Sequence, residues 1–511
     1  MAFDREAWEA AARVGMGVAF ASARTPDRPA VIAPSGDRTY AELNANANRL
    51  VRALRWRGLG DGDSVAILSP NRAEFAETYA ACTRAGFRLT TVNWHLTPDE
   101  AAYIVGDCQA RVFIADATHA ESVRPADAVE VRLAIGGDLE GFDRWDDVLD
   151  AEDGTDIQDP TLGTAMLYTS GTTGYPKGVR RPPDPDGLIA AVSAFFYTDG
   201  DVHLVTGPLY HTAPYVFGLQ APLTCGVTTV HMPSWDPEET LALIEEHKVT
   251  HTHLVPTMFH RLLALPDDVK TRYDTSSMKS ALHGAAPCPT SVKQAMIDWW
   301  GPVIWEYYGA TEGAGTVVDS VTWLRKPGTV GLADPDHLHV GDEDGHRVPP
   351  GEEGLVWIKG SGTGRFEYFG DTDKTGGAYR GDHFTLGDVG RIDDDGYLFL
   401  TDRTANLIIS GGVNIYPAEV DAVLLQHPAV ADVAVIGVPN DEWGESVLAV
   451  VERKPGVEVD PEELLAFCRE RLARFKCPRA VDFVDRLPRD DNGKIYKRRL
   501  RDDYRARAAG A

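Results

Sequence analysis

Short β-branched runs alternate with amphipathic stretches along most of this chain, and that alternation restricts its fold more than any other feature. Ser64-Val-Ala-Ile-Leu68 and Arg111-Val-Phe-Ile-Ala115 read as strands, and Asn71 to Arg84 as the helix after the first of them. Pro237 to His247 places Leu241, Leu243 and Ile244 on one helical face, and Val249 to Val255 reads as the strand that follows. Strands that alternate with helices pair in parallel within layered sheets, so an α/β protein is predicted. With 511 residues the chain has material for about three domain-sized units, and its core needs no metal or disulfide to stabilise it. Near Asp402 the pattern changes. Asp388 to Leu400 reads as a hairpin about Asp395-Gly396, and residues 402–511 are enough for a compact α+β unit. The expected division is a large N-terminal domain of layered sheets and helices, 1–401, and a small mobile α+β C-terminal domain, 402–511. The acidic stretch Ala126 to Pro160 is expected to wind irregularly over the surface.

Charge and cysteine usage exclude several classes. Fifty basic against 77 acidic residues leave a net charge of −27, which repels phosphate backbones and anionic lipid, so neither nucleic acid nor a membrane is an expected partner. No apolar run approaches the roughly 18 residues of a membrane-spanning helix. Asp4, Glu6 and Glu9 make the start acidic where a secretory leader is basic, so Val14 to Ala23 reads as part of an amphipathic N-terminal helix. Six cysteines without a C-x-x-C pair suit a reducing compartment, and a cytoplasmic location is expected. His247, His251, His253 and His260 crowd together, but their alternation is that of a strand and no cysteine or carboxylate completes a zinc set. Asp393-Asp-Asp-Gly396 lacks the register of a calcium loop and reads as a turn.

The strongest chemical signal is Tyr168-Thr-Ser-Gly-Thr-Thr-Gly-Tyr-Pro-Lys-Gly178. Gly171 and Gly174 let backbone N–H groups converge on an anion. Thr169, Ser170, Thr172 and Thr173 add hydroxyl donors, and Lys177 adds a point charge suited to phosphate. The Walker A spacing does not fit this segment.

With Pro208-Leu-Tyr-His-Thr-Ala-Pro214, His283-Gly-Ala-Ala-Pro287, Tyr307-Tyr-Gly-Ala-Thr-Glu-Gly313, Gly387-Asp-Val-Gly390, Asp402-Arg403, Ser410-Gly-Gly-Val-Asn-Ile-Tyr-Pro417 and Asn492-Gly-Lys-Ile495, the chain resembles the adenylate-forming ligase superfamily over essentially its whole length. It is most similar to the acyl-CoA synthetase branch. The resemblance implies that ATP and Mg²⁺ activate a carboxylic acid as an acyl-adenylate. A second nucleophile then displaces AMP. It further implies that Glu312 holds Mg²⁺, Thr311 contacts phosphate, and Tyr308 with Gly309 lies beside adenine. Gly284 and Ala285 line the adenine site, Asp388 accepts hydrogen bonds from both ribose hydroxyls, and Arg403 binds ribose or phosphate. Lys494 is the mobile lysine that bridges carboxylate and α-phosphate. His211 stands beside the acyl carboxylate, with Tyr215, Gly218, Val255 and Ala286 on the acyl pocket wall. Asp402 is the implied hinge, and Gly411, Gly412 and Trp443 form the CoA or acceptor face. The apolar wall implies a hydrophobic or aryl acid, and a homodimer is among the assemblies common to relatives.

The pattern departs from many acyl-CoA synthetases at several places. Thr404, Ala405 and Asn406 follow Asp402-Arg403 where a Lys-Asp pair is usual, so a cation and an anion are missing on the second-step face. His283 replaces a smaller residue, Leu386 stands ahead of Asp388, and Asp490 and Asn492 replace threonines before Lys494. The expected activity is transfer of the acyl group to CoA. The alternative is an amide synthetase that passes the same adenylate to an amine.

Overall fold

The computed structural model describes residues 4–123, 129–169, 176–193, 196–360, 365–403, 406–410, 413–440, 444–489 and 495–509. The largest sheet has eight strands in the order Gly313–Asp319, Ile304–Ala310, Ser280–His283, His251–Leu254, Val202–Val205, Thr228–His231, Pro29–Ile32, Arg38–Thr39. Its six inner strands run parallel, and each outer strand turns back antiparallel. A second sheet of six strands is parallel throughout and is centred on Ser64–Leu68, whose five residues are all buried. Helix Ala73–Arg84 touches both sheets and therefore buries nearly every side chain, where a helix on one open face would keep a polar stripe.

Local chemistry sets the ends of these elements. Thr39 and Thr97 each start a helix with a capping box, closed by Glu42 and Glu100 respectively. Asp236 accepts the N–H groups of Glu238 and Glu239 to start Pro237–His247. The N-terminal segment forms two helices, Arg5–Ala12 and Gly17–Arg24, instead of one. The chain turns at Gly15, at φ +75°, where a Cβ would lie 2.1 Å from the Thr83 carbonyl oxygen.

The stretch expected to wander over the surface is ordered in part. Val131–Ile135 adds a parallel strand to the second sheet, and helix Trp145–Asp150 buries Trp145, Val148 and Leu149. Val131, Leu133, Ala134 and Ile135 are buried, so that strand lacks the apolar–polar alternation that marks a strand with one face in water.

The hairpin forms as expected, from His383–Ile392 and Tyr397–Arg403. The Asp393 carboxylate accepts the N–H groups of Asp395 and Tyr397, and Lys326 bridges Asp393 and Asp395. These strands belong to an antiparallel sheet that also holds Leu338–Gly341 and Gly354–Lys359. A smaller C-terminal domain follows. Its five-stranded sheet is built on the long hairpin Val430–Asn440 and Gly444–Arg453 and carries helices Pro417–Leu424 and Pro461–Arg469. Among the described residues no helix is long and apolar enough to cross a membrane.

Candidate active site

Three structural units converge on one region. The first is a three-stranded sheet in which Leu167–Thr169 and Lys177–Arg180 form a hairpin, with Glu367–Tyr368 on its far edge. Thr169 lies directly opposite Lys177, and the Gly-rich segment joins these two strands in sequence. Ser170, Gly171, Thr172, Thr173 and Gly174 fall outside the described residues. Lys177 Nζ lies 3.4 Å from Asp371 Oδ2.

The second unit is the C-terminal end of the large parallel sheet, where open α/β sheets place their ligands. Strand Ser280–His283 leads into Gly284 and Ala285. A Cβ on Gly284 would stand 2.5 Å from the Tyr307 ring and 2.7 Å from its carbonyl oxygen, so glycine is required there. Ala285 has φ +66°, a left-handed conformation that costs a non-glycine residue about 1–3 kcal/mol. Ala286, next to it, is half-buried. Strand Ile304–Ala310 carries Tyr308 and Gly309, and Thr311 and Glu312 turn the chain into Gly313–Asp319. Thr311 Oγ1 lies 2.6 Å from Thr212 Oγ1, which ties this turn to the segment bearing His211. Glu312 is only 8% exposed and accepts a hydrogen bond from the Tyr368 hydroxyl at 2.9 Å.

The third unit is the 383–403 hairpin. The Tyr308 hydroxyl donates to Asp388 Oδ2 at 2.8 Å, both residues being buried, and Asp388 pairs with Arg403 across the hairpin. Three segments distant in sequence thereby place Lys177, Thr311, Glu312, Tyr308 and Asp388 around the mouth of the sheet. Asp402 accepts from the Ala418 N–H at 2.9 Å and from Asn406 Nδ2 at 3.2 Å. Gly411, Gly412, Trp443 and Lys494 fall outside the described residues.

Residues Pro214–Gln220, expected to border the acyl pocket, form a π-helical turn, a geometry often found at functional sites. His211 precedes it, its ring 4.6 Å from that of Tyr210. Tyr215 is buried with its ring edge-on to Tyr79, inside the core. Gly218 allows close approach to Val205, since a Cβ would stand 3.3 Å away, and Val255 is buried at the start of helix Pro256–Leu263.

Several contacts here were not legible from sequence. Phe217 packs edge-on to Tyr307 at 4.9 Å, and the Tyr307 hydroxyl lies 3.3 Å from His253 Nε2. Tyr307 sits within a quoted motif, but its contact with Gly284 is set by sheet register, which spacing does not reveal. His283 is wholly buried with neither ring nitrogen hydrogen-bonded, and burial holds it well below the ordinary imidazole pKa. Beneath it Lys293 Nζ and Glu306 Oε2 form an ion pair at 2.6 Å. Arg181 Nη2 donates to the Thr311 carbonyl at 3.0 Å.

These residues lie together at the strand ends of an α/β domain followed by a small second domain. The chain belongs to the AMP-binding enzyme family, on the acyl-CoA synthetase branch of the adenylate-forming ligases: the family signature matches residues 18–366, and that of the AMP-binding enzyme C-terminal domain matches 419–494. A feruloyl-CoA synthase from Amycolatopsis sp is 36% identical over 471 residues, which cover 91% of this chain and 93% of that protein. The fold matches that of ATP-bound MatB from Rhodopseudomonas palustris with a TM-score of 0.86 at 30% identity, over 97% of this chain and 99% of that one. It also matches the amide bond synthetase McbA from Marinactinospora thermotolerans, with a TM-score of 0.84 at 27% identity over 96% and 99% of the two chains.

Proposed function

We propose that the protein is an AMP-forming acid–CoA ligase that acts on a hydrophobic or aryl carboxylic acid. The observation that carries this reading is the convergence of the Tyr308–Asp388 pair with Thr311 and Glu312 at the mouth of the large sheet. A carboxylate is a poor acyl donor because its oxygen leaves badly. Its attack on the α-phosphate of ATP forms a C–O–P link and expels pyrophosphate. CoA then displaces AMP from the mixed anhydride to give the thioester.

Each residue has a physical task in this scheme. Asp388 accepts from the ribose hydroxyls while Tyr308 holds its other face and stacks beside adenine. Gly284 and Ala285 present backbone to the base. Lys177 and the Gly-rich turn hold the phosphate chain, and Thr311 donates to phosphate. Lys494 brings positive charge between two anions, the largest electrostatic barrier of the first step. His211 borders the carboxylate.

The buried carboxylate of Glu312 suits a hard divalent cation, and among the described residues its hydrogen bond is that from Tyr368 to Oε1. Among the described residues no three-ligand cluster surrounds it, so Mg²⁺ held here would draw its other ligands from phosphate and water. The ion supplies charge neutralisation on the phosphate oxygens. We place the domain boundary and hinge at Asp402, where rotation of residues 402–511 exchanges Lys494 for the Gly411-Gly412 and Trp443 face between the two steps.

Two observations favour a second reading. Asn406, where a charged residue is usual, spends its amide on Asp402, and the likeness to an amide bond synthetase is nearly as close as that to MatB. In that reading an amine takes the acyl group. Mass spectrometry of products from a panel of acids with ATP and Mg²⁺, run with CoA, with simple amines and with neither, separates the two. Thioester with CoA supports the first reading, and efficient amide without thioester replaces it by the second. Lys494→Ala should abolish either product while leaving ATP binding in place, and retention of activity would remove the adenylation mechanism.

A further inference from the structure

Arg180 and Arg181 follow the Gly-rich turn and differ in their partners. Lys177 lies against Asp371, and Arg180 against Glu367. Arg181 has no carboxylate within ion-pair distance among the described residues. Nη2 donates to the neutral carbonyl of Thr311 at 3.0 Å, while Nε is buried without a hydrogen bond. Burial draws the Arg181 guanidinium below its ordinary pKa, and Glu312 and Asp184 act on it only at longer range. A buried guanidinium N–H left unpaired is costly, more so than a neutral one, and such a group is kept where a ligand completes it.

The location narrows the ligand. Arg181 lies at the Thr311–Glu312 turn, four residues beyond Lys177. The phosphate neighbours on that turn supply a hydroxyl and a carboxylate, and Arg181 adds a cationic side chain beside them. The charge that grows as the α–β bond of ATP breaks is that of pyrophosphate, and an arginine suits its paired oxygens. We propose that Arg181 is an anion-binding residue of the adenylation step, its guanidinium binding the pyrophosphate part of the nucleotide and the pyrophosphate ion it leaves. The assignment rests on the AMP-forming reading above and adds a residue to it.

Calorimetric titration of the full-length protein with inorganic pyrophosphate and, separately, with AMP, in buffer containing Mg²⁺, tests it. Arg181→Met should weaken pyrophosphate binding ~10- to 100-fold, the span of a hydrogen bond to a charged group, and leave AMP binding within about twofold. Arg181→Lys should fall between, since it keeps the charge and loses the planar fork. Unchanged AMP affinity also shows that the variant is folded. Pyrophosphate affinity unaffected by Arg181→Met overturns the assignment. So does a parallel loss for AMP and pyrophosphate, which makes Arg181 only a brace for the Thr311 turn. A wild-type protein that binds neither ligand removes the adenylation reading itself, a result distinct from either.

Discussion

Replacing Lys293 by methionine leaves a buried carboxylate without its counter-ion. Lys293 is 0% exposed on helix Thr290–Trp300, and its ammonium lies 2.6 Å from Glu306 and 4.9 Å from the Trp323 ring centroid. Burial works against both charges, raising the Glu306 pKa and lowering that of Lys293, and each charge holds the other ionised. Removing one partner of such a pair costs about 3–5 kcal/mol, whereas replacing both by apolar groups of similar size is often neutral. Lys293→Met should therefore cost about 3–5 kcal/mol. Lys293→Met/Glu306→Met should return to within about 1–2 kcal/mol of wild type, the residue being the lost cation–π contact.

The pH dependence has a definite sign. Without Lys293 the Glu306 carboxyl titrates higher still, so the folded state holds a proton that the unfolded state has released. The penalty of the single variant should shrink toward pH 5 and grow toward pH 8. Urea unfolding followed by tryptophan emission reads the large domain, since ten of the eleven tryptophans precede residue 402. A single variant that loses less than about 1 kcal/mol, or a double variant no more stable than the single, would refute the reasoning.

Other expectations follow from the same geometry. Burial pulls His231 and His253 down to about 3 from 6.5, so the unfolded chain binds their protons first on acidification. Stability should fall as pH drops from 6.5 toward 3, each imidazole adding a slope of about 1.4 kcal/mol per pH unit, and unfolding at pH 7 and 5.5 with His231→Gln as control measures it. Ala285→Gly should raise stability by roughly 0.5–1 kcal/mol by relieving the left-handed backbone, seen as a higher Tm. Gly284→Ala should lower Tm and weaken AMP binding, because the Tyr307 ring and carbonyl must both move. Asp388→Asn should reduce AMP affinity ~10- to 100-fold with little effect on pyrophosphate, measured by calorimetry.

Much of the site is written in short linear motifs because the proposed chemistry needs particular groups at chain turns. Tyr308, Thr311 and Glu312 share one such turn, and Thr169 and Lys177 flank another. What the sequence could not supply is partnership across distance. Arg181 meets Thr311 across 130 residues, and Tyr308 meets Asp388 across 80, through sheet packing that no spacing rule encodes. The boundaries of Ser64–Leu68 and Pro237–His247 were legible because an apolar run with flanking turns marks the first and a proline after a capping aspartate marks the second. Val131–Ile135 was not, because a strand so largely buried shows no alternation, and its acidic flanks suggested a loop. Tyr215 and Phe217 sit two residues apart, yet a π-helical turn sends the first into the core against Tyr79 and the second toward Tyr307.

The order in which the large sheet recruits its strands bears on how the chain is born. Val31 pairs with Thr229, nearly two hundred residues later, and the whole second sheet lies between them in sequence. At 5–20 residues per second a ribosome takes roughly 10–40 s to deliver that partner. Through that interval Pro29–Ile32 has only the short Arg38–Thr39 strand beside it, and helices Tyr40–Trp56 and Ala73–Arg84 shield its apolar face. Synonymous codon changes that slow translation between residues 160 and 230 should therefore raise the aggregated fraction of the nascent chain, while the same changes after residue 320, beyond the last strand of the large sheet, should not.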